Sequence, residues 1–289
     1  MEKTMGTKNI ISDVLAESPN RRSLLKKLGM ASAAAGAALA SGGLELRADP
    51  ASPTPVDILQ FALNLEYLES EFYTVATLGK NIEEVGIGIS GSGNSGPTTG
   101  GKMVNFANNL IFTGPVANQI GEDERAHVTL LRGALSKAGV TPIAKPEIAL
   151  NALGIGFANE ASFLMLARIF EDIGVTAYGG AAQLPSFTAS PYIGTAARIL
   201  ATEAEHVGNI RLQVARLAIA TKALDSVDIL PPPSGRDFIS ADNVTGLTAI
   251  RTPGQVLYLA YGGMANATSG GFFPMGVNGN IHTSSSSPA

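Results

Sequence analysis

The sequence contains two copies of one short pattern, Glu124-Arg125-Ala126-His127 and Glu203-Ala204-Glu205-His206, and each copy lies in a segment predicted to be helical. Residues three apart on an α-helix lie on neighbouring faces about 5 Å apart, so the carboxylate and the imidazole of each copy can reach one point beside the helix. The chain has only 3 histidines, and two of them belong to this pattern. The repetition makes a chance occurrence a poor explanation.

Each copy follows an acidic residue on an earlier helical segment, Glu66 before the first copy and Glu171 before the second. A tyrosine stands seven residues after each of these glutamates, at Tyr73 and Tyr178. We expect the two tyrosines to pack beside the site rather than to react. The chain therefore repeats a larger unit than the four-residue pattern alone.

Other acidic residues compete with these two glutamates for a role in a site. Glu66 is favoured because it lies on the apolar stripe of its helix, and Glu171 because its interval to Tyr178 matches that of the first unit. The competitors are Asp57, Glu69, Glu71, Glu160 and Asp172. Four acidic residues are predicted to face solvent or to support the ligands from behind: Glu69, Glu71, Glu122 and Glu205.

Each histidine of the pattern could alone be an ordinary core residue that donates to a backbone carbonyl or a carboxylate. The equal offset of His127 and His206 from a glutamate favours metal ligation instead. Asp123 could orient a ligand histidine, but a charge on the helix surface explains it equally well. The third histidine, His282, lies in a segment rich in Gly, Asn and Ser and is predicted to be exposed.

Composition limits the classes of function that remain. The 289 residues are 45% hydrophobic and 15% charged, which is enough to bury a large core. The absence of cysteine excludes disulfides, thiolate zinc sites, cysteine nucleophiles and iron–sulfur clusters held by cysteine. A formal net charge of −4 without a basic stripe argues against nucleic acid as a partner.

The first forty residues differ from the rest of the chain. Residues 20–26 contain the pair Arg21-Arg22, and a weakly apolar run follows from 28 to 40 and ends on small residues. This segment resembles a twin-arginine export signal, which implies export of a folded protein to the periplasm or beyond. The run is short and rich in Ala and Gly, so a stable membrane anchor is not expected. Cleavage after Ala40 removes six basic and three acidic residues and takes the net charge from −4 to −7.

The remaining sequence predicts an all-α fold. After a linker at 41–54, four long helices are expected between residues 55 and 222, over Pro55–Leu78 and approximately over 115–138, 158–183 and 191–220. A short link between the last two predicts that they are antiparallel neighbours, and Ser190-Pro191 predicts the start of the fourth. The glycine-rich segment 86–101 is expected to be a mobile spacer.

Beyond the four helices, residues 223–283 are predicted to form an irregular extension packed on the bundle, with one short helix over 252–261. Residues 284–289 are predicted to be a disordered tail.

Two segments carry a resemblance to a known family, Phe-Ala-Leu-Asn-Leu-Glu-Tyr-Leu-Glu-Ser-Glu-Phe-Tyr at 61–73 and Gly-Gly-Phe-Phe-Pro-Met-Gly-Val-Asn-Gly-Asn-Ile at 270–281. They resemble ferritin-like proteins that include plant desiccation-related proteins and exported bacterial relatives. The resemblance covers about residues 50–282. It implies a ferritin-like four-helix bundle with a long glycine-rich loop and an irregular C-terminal extension.

The order Glu, Glu-x-x-His, Glu, Glu-x-x-His resembles the di-iron or di-manganese carboxylate sites of ferritin-like bundles. By similarity to bacterioferritin, rubrerythrin and manganese catalase, Glu124 and Glu203 would bridge two ions. Coordination positions left open on these ions would bind dioxygen or peroxide. Glu66 with His127 would complete one ion, and Glu171 with His206 the other. Iron and manganese both accept these ligands. Carboxylates in an apolar core also need cations or protons to offset several kcal/mol of desolvation and repulsion.

The sequence therefore supports two hypotheses. The first is an exported di-metal protein, a ferroxidase, peroxidase or catalase that acts on dioxygen or hydrogen peroxide. The alternative is a non-catalytic protein of the same fold that protects the cell during drying or envelope stress. A homodimer is compatible with either, whereas the glycine-rich loop and the extension argue against a hollow storage shell.

Overall fold

The computed structural model of the protein describes residues 52–106 and 113–288. The predicted signal at 1–40 and most of the linker at 41–54 lie outside the described residues. Within them, four long helices are present, α1 (Pro55–Leu78), α2 (Thr113–Lys137), α3 (Glu160–Ala181) and α5 (Ile193–Arg216). Two shorter helices, α4 (Pro185–Thr188) and α6 (Pro253–Ala260), accompany them. The prediction of an all-α fold is confirmed, and no described helix is long and apolar enough to cross a membrane.

Helix α1 begins and ends at the residues that the sequence predicts. Thr54 and Asp57 form a capping box, in which the Asp57 amide donates to Thr54 Oγ1 (3.2 Å) and the Thr54 amide donates to Asp57 Oδ2 (2.8 Å). Pro55 follows the cap, and Gly79 ends the helix with φ +66°, a left-handed conformation that suits glycine. Asp57 is therefore used as a helix cap and not in a site.

The long helices pair lengthwise, α1 with α2 and α3 with α5, and further contacts between α1 and α3 and between α2 and α5 close the bundle. Phe72 of α1 anchors the core between the pairs. Its ring stacks on Phe163 of α3 with ring centroids 5.0 Å apart, and it meets Phe157 and Phe170 edge to face. These contacts bring the inner faces of α1 and α3 together, where Glu66 and Glu171 lie.

The start of the fourth long helix differs from the prediction. The Ser190 hydroxyl donates to the Phe187 carbonyl (2.7 Å), where it closes the turn after α4 instead of capping a helix. Helix α5 consequently begins at Ile193 and ends at Arg216, before the expected residue 220. The bounds of α2 and α3 lie within two residues of those predicted, and Asn159 caps α3 by accepting from the Ser162 amide (2.9 Å).

The glycine-rich segment 86–101 was expected to be a mobile spacer. In the structure it forms backbone hydrogen bonds with the segment between α2 and α3. Its strand β1 (Thr98–Thr99) pairs in parallel with β2 (Ile148–Ala149). The glycines permit this close approach, because a Cβ on Gly91 would lie 2.0 Å from the Pro142 carbonyl oxygen and one on Gly96 would lie 2.5 Å from Glu147 Cβ. The pairing requires contacts between distant segments, which local composition does not reveal.

Asn278, in the second of the two family-like segments, joins four parts of the chain. Its amide donates to Asn64 Oδ1 (3.0 Å), and Asn64 Nδ2 donates to the Asn278 carbonyl (2.9 Å). Its side-chain nitrogen donates to the carbonyls of Asn94 and Ala144, and its Oδ1 accepts from the Asn94 amide (2.8 Å). The extension is thereby fixed to α1, to the glycine-rich loop and to the crossover before α3.

A second anchor of the extension lies on α3. The Arg251 amide donates to the Thr176 carbonyl (3.0 Å), and the Arg251 guanidinium group binds Asp225 and the Thr176 hydroxyl. A Cβ on Gly180 would lie 1.9 Å from the Arg251 carbonyl oxygen, so only glycine lets the extension cross α3 at this point.

The C-terminal residues 284–288 are also bound, contrary to the prediction of a disordered tail. Ser284 is 3% exposed, its amide donates to the Ala267 carbonyl (2.8 Å), and its hydroxyl donates to the Met264 carbonyl (2.6 Å). Serine can face solvent, but its hydroxyl can also pair with buried backbone groups. The serine-rich composition therefore did not show whether this segment is ordered. Residue 289 lies outside the described residues.

Candidate metal centre

The six predicted ligands meet in the middle of the bundle, and each of the four long helices contributes to them. The glutamates are completely buried, and the histidines are 7% and 5% exposed. Helix α1 provides Glu66, α2 provides Glu124 and His127, α3 provides Glu171, and α5 provides Glu203 and His206.

One half of the centre surrounds the Nδ1 atom of His127. This atom lies 3.2 Å from Glu66 Oε2, 3.3 Å from Glu124 Oε2 and 3.5 Å from Glu203 Oε1. A single N–H cannot donate along three directions at once, so ordinary hydrogen bonding does not explain the convergence. The four side chains instead present lone pairs to a common point, as the ligands of a cation do.

The other half surrounds His206. Its Nδ1 atom lies 3.1 Å from Glu124 Oε1 and 3.1 Å from Glu171 Oε2. Glu124 therefore turns one oxygen to each histidine and lies between the two halves. Ligand atoms of Glu66, Glu124, His127 and Glu203 lie within 4.8 Å of one another, and so do those of Glu124, Glu171, Glu203 and His206. The two groups share Glu124 and Glu203.

The tyrosines connect the halves crosswise. The Tyr73 hydroxyl on α1 donates to Glu171 Oε1, and the Tyr178 hydroxyl on α3 donates to Glu66 Oε1. Burial and then the adjacent glutamate charge raise the pKa of each tyrosine well above its usual 10.0, so both remain protonated donors. Each tyrosine thus fixes the carboxylate contributed by the other helix.

Asp123 contacts the side of His206 that faces away from the cluster. Its Oδ2 atom lies 3.2 Å from His206 Nε2, and its side chain is 40% exposed. A carboxylate at this place holds the proton on Nε2 and turns the lone pair of Nδ1 towards the cluster. Of the two roles left open for Asp123 by the sequence, the structure favours orientation of a histidine.

Glu69 is a further member of the cluster that the sequence did not identify. It is 5% exposed, which excludes the solvent-facing alternative. Burial, followed by the charges of Glu203 and Glu124, raises its pKa well above 4.5. A Cβ on Gly174 would lie 3.3 Å from Glu69 Oε1 and 2.5 Å from Glu203 Oε2, so this glycine leaves room for both carboxylates. A usable signal was present, because Glu69 stands one helical turn after Glu66 on the same face.

The other acidic competitors have structural or surface roles. Glu71 was expected near solvent but is buried, lies 3.2 Å from Lys145 Nζ and accepts from the Ile82 amide. Asp172 lies between Arg168 (3.2 Å) and Arg211 (3.0 Å) and is likewise removed from the cluster. Glu122 and Glu205 are exposed, Glu160 lies in the first turn of α3, and His282 is exposed as predicted.

The electrostatics of the cluster are those of an anionic site that lacks enough positive charge. Burial opposes protonation of the histidines, but the Glu66 charge beside His127 raises the pKa of that imidazole to about 11, and Glu171 raises the pKa of His206 to about 12. Burial raises the pKa of Glu124 to about 7 and that of Glu203 well above 4.5. The metal-free cluster therefore holds protons where cations would otherwise lie.

Several oxygens of the cluster have no hydrogen-bond donor among the described residues. Both carboxylate oxygens of Glu203 are buried and accept no hydrogen bond, and Glu66 Oε2 and Glu124 Oε1 have only their ion-pair contacts with His127 and His206. Leaving such groups unpaired is costly in a protein interior. Carboxylate oxygen and imidazole nitrogen are the ligands that iron and manganese accept, so the donor set fits these ions. These buried groups could bind metal ions.

Two comparisons with known proteins bear on this site. A family model described as "Ferritin-like domain" matches residues 54–216, more than half of the chain. This range begins at the cap of α1, ends at the last residue of α5 and contains every ligand named above. A search of curated proteins finds no match.

Proposed function

The chain belongs to the ferritin-like domain family, and from this premise we propose that its cluster holds two iron or manganese ions and acts on dioxygen or hydrogen peroxide. The reaction would be that of a ferroxidase, a peroxidase or a catalase. The observation that supports this proposal is the pair of four-residue groups that share Glu124 and Glu203, because two overlapping ligand sets are what two neighbouring ions require.

In this proposal, Glu66 and His127 would hold one ion and Glu171 and His206 the other, and Glu124 and Glu203 would be shared by both. When bound, the ion pair supplies the electron transfer that reaction with dioxygen or peroxide needs. Two divalent ions would also offset most of the charge of the buried carboxylates, which would otherwise repel one another at a cost of several kcal/mol for each buried ion.

The surrounding side chains orient the ligands. Tyr73 and Tyr178 donate to Glu171 and Glu66, so each terminal carboxylate keeps its second oxygen directed to the cluster. Asp123 holds the Nε2 proton of His206. Glu69 lies at the edge of the centre, where burial and then the charges of Glu203 and Glu124 raise its pKa, which suits a carboxyl group to proton transfer.

The extension approaches the centre from one side. A small cavity of about 30 Å³ is lined by Glu69 and by three residues of the extension, Val256, Leu259 and Phe272. Its volume is enough for about one water molecule.

Metal analysis of the purified full-length chain tests the proposal. We expect about two iron or manganese ions per chain after growth in metal-supplemented medium. The double variant Glu124→Gln/Glu203→Gln should lose most of this metal, because it removes the charge of both shared ligands. The matched control Glu122→Gln/Glu205→Gln changes the same residue type at exposed positions on the same helices and should retain it.

Well under one ion per chain in the unaltered protein would overturn the proposal. A metal-loaded protein that consumes neither dioxygen nor hydrogen peroxide would favour the alternative, a protective protein without catalysis. Measuring oxygen uptake and peroxide loss on the loaded chain and on both double variants separates these outcomes.

We also propose that residues 1–40 direct export by the twin-arginine route, on the basis of the Arg21-Arg22 pair and the short apolar run after it. Replacement of both arginines by lysine keeps the charge but removes the paired-arginine pattern. We expect the variant to remain in the cytoplasm when cell fractions are compared by immunoblot. Unchanged export of the variant would contradict this proposal.

A further inference from the structure

A cavity of about 390 Å³ lies among the four long helices, beside the cluster. It is lined by the first half of α1, the second half of α2, the second half of α3 and the first half of α5. Phe187 of α4 also lines it, whereas Glu69, Gly174 and Tyr178 line it next to the cluster. The cavity therefore extends from the centre towards the end of the bundle where α3 is connected to α5.

The walls of this cavity are mainly apolar. Side chains that line it include Leu59, Phe61, Leu65, Leu131, Phe187 and Ile199. Water gains few hydrogen bonds in such surroundings, whereas a hydrocarbon group gains contacts on every side. Pockets that bind small organic molecules occupy about 300–1,000 Å³ and are lined in the same way, with few polar groups. The size and the lining both favour an organic ligand.

The charges near the cavity indicate how such a ligand is oriented. Near the cluster, the described lining of the cavity offers the carboxyl group of Glu69 and no cationic side chain. Lys137 also lines the cavity, and it stands ten residues after His127 on α2, which corresponds to a helix rise of about 15 Å. Lys137 is exposed, and its ammonium group forms no ion pair within residues 52–106 and 113–288. A carboxylate therefore finds a cationic partner at Lys137 and none near Glu69.

We propose that this cavity is a binding site for a fatty-acid-like anion, with the hydrocarbon chain between the helices and the carboxylate at Lys137. Thr195 also lines the cavity, near the end where α3 is connected to α5, and carries a hydroxyl group that can donate a hydrogen bond. The uncharged end of the chain then lies against Glu69 and Tyr178, next to the cluster. Binding at this site goes beyond the proposed redox function and does not require metal.

Fluorescence titration of the full-length protein with cis-parinaric acid, a fluorescent fatty acid, tests the site. We expect saturable binding of one probe molecule per chain. The variants Ala62→Phe and Ala134→Phe place a ring in the cavity and should weaken binding at least tenfold. The matched control Ala201→Phe makes the same change at an exposed position of α5 that does not line the cavity, and it should bind as the unaltered protein does.

A charge reversal provides a test that does not depend on repacking the core. Lys137→Glu should weaken binding of cis-parinaric acid about tenfold or more and leave binding of its uncharged methyl ester unchanged. Lys80→Glu reverses an exposed lysine outside the cavity and should change neither. Equal binding of the acid by the Lys137→Glu variant and the unaltered protein would overturn the proposal, and so would the absence of saturable binding.

The metal-deficient variant Glu124→Gln/Glu203→Gln separates this inference from the proposed function. It should bind the probe as the unaltered protein does, so loss of metal and loss of ligand binding are distinguishable. If light scattering shows a dimer and the dimer does not bind the probe saturably, the cavity is instead covered by a second copy of the chain, and the proposal is wrong.

Discussion

The two halves of the centre, α1 with α2 and α3 with α5, repeat the same candidate ligands, but two of the residues beside those ligands differ in ways that affect the centre. One turn after the first glutamate, the α1 half has Glu69, whereas the α3 half has Gly174. Immediately before the Glu-x-x-His pattern, α2 has Asp123, whereas α5 has Thr202. The ligands thus follow the repeat, and the residues around them do not.

The first difference is a matter of space. Glu203 Oε2 and Glu69 Oε1 occupy the region that a side chain at position 174 would enter. A repeat-equivalent glutamate at 174 would therefore overlap the carboxylates already present. The centre can hold a fifth buried carboxylate only if the other half contributes none at the equivalent place.

The second difference concerns how the histidines are held. Asp123 on α2 contacts His206 on α5. If the contact were repeated in the opposite direction, Thr202 on α5 would support His127 on α2. The Thr202 hydroxyl instead donates back to the Arg198 carbonyl (3.2 Å). His206 is consequently oriented by a carboxylate, whereas Thr202 gives His127 no such partner. We expect two metal positions of unequal affinity.

The largest expected effect is a loss of stability of the metal-free protein with rising pH, and both histidines contribute to it. Their pKa values in the folded state, about 11 for His127 and about 12 for His206, exceed the usual 6.5. A raised pKa gives stability that is complete below pH 6.5 and is lost as the pH rises towards 11. Each histidine then contributes a loss of up to about 1.4 kcal/mol per pH unit. The free energy of unfolding should therefore fall by several kcal/mol between pH 6.5 and 9.

Urea denaturation followed by circular dichroism measures this effect, since the chain has no tryptophan. His127→Gln and His206→Gln should each remove about half of the slope if the halves are equivalent in charge. Metal ions displace the protons, so metal-induced stabilisation should grow with pH. A metal-free protein that becomes more stable between pH 6.5 and 9 would contradict the assignment.

The next effect tests the space at position 174. Gly174→Ala places a Cβ 2.5 Å from Glu203 Oε2, and overpacking of this kind costs about 1–3 kcal/mol. We also expect weaker metal binding, because Glu203 must move. Gly208→Ala is the matched control on α5, where a Cβ meets nothing within 4 Å, and it should stabilise the helix by up to about 1 kcal/mol. Thermal unfolding and chelator competition measure both variants, and equal behaviour of the two would refute the close contact.

The smallest effect tests the support of His206. Asp123→Asn removes a charged partner of the ligand histidine, and such changes typically lower metal affinity by about tenfold or more. Only one of the two ions should be affected. Thr202→Ala removes a hydroxyl that serves its own helix and should leave both affinities unchanged. Chelator competition that resolves the two binding steps provides the measurement, and loss of both ions in Asp123→Asn would argue against inequivalent halves.

The sequence was sufficient for the long helices and for the helix faces that carry the six candidate ligands, because both depend on short-range patterns. Capping by Thr54, the stop at Gly79 and the i, i+3 spacing of the two Glu-x-x-His copies are local, and they translate directly into helix ends and a shared face. The place of Glu69 inside the cluster was not predicted, because the apolar stripe of a helix defines the direction of a side chain but not its distance from other buried groups. Its neighbours Glu203 and Gly174 are more than a hundred residues away in sequence.

The packed loops could not be predicted for a similar reason. The approach of Gly91 to Pro142 and the bonds of Asn278 to Asn64 depend on segments that meet only after the bundle has formed. Ser190 shows the converse, because a residue type that commonly caps helices closes a different turn here.

Asn278 has a consequence for the order in which the protein can be completed during synthesis. The family match ends at residue 216, yet Asn64 Oδ1, the Asn94 backbone and the Ala144 carbonyl are bound by residue 278. A nascent chain that has emerged only as far as α5 leaves these groups unsatisfied. Truncation after the bundle should therefore yield a weakened product, and the packing of the bundle is completed only after residue 278 has been translated.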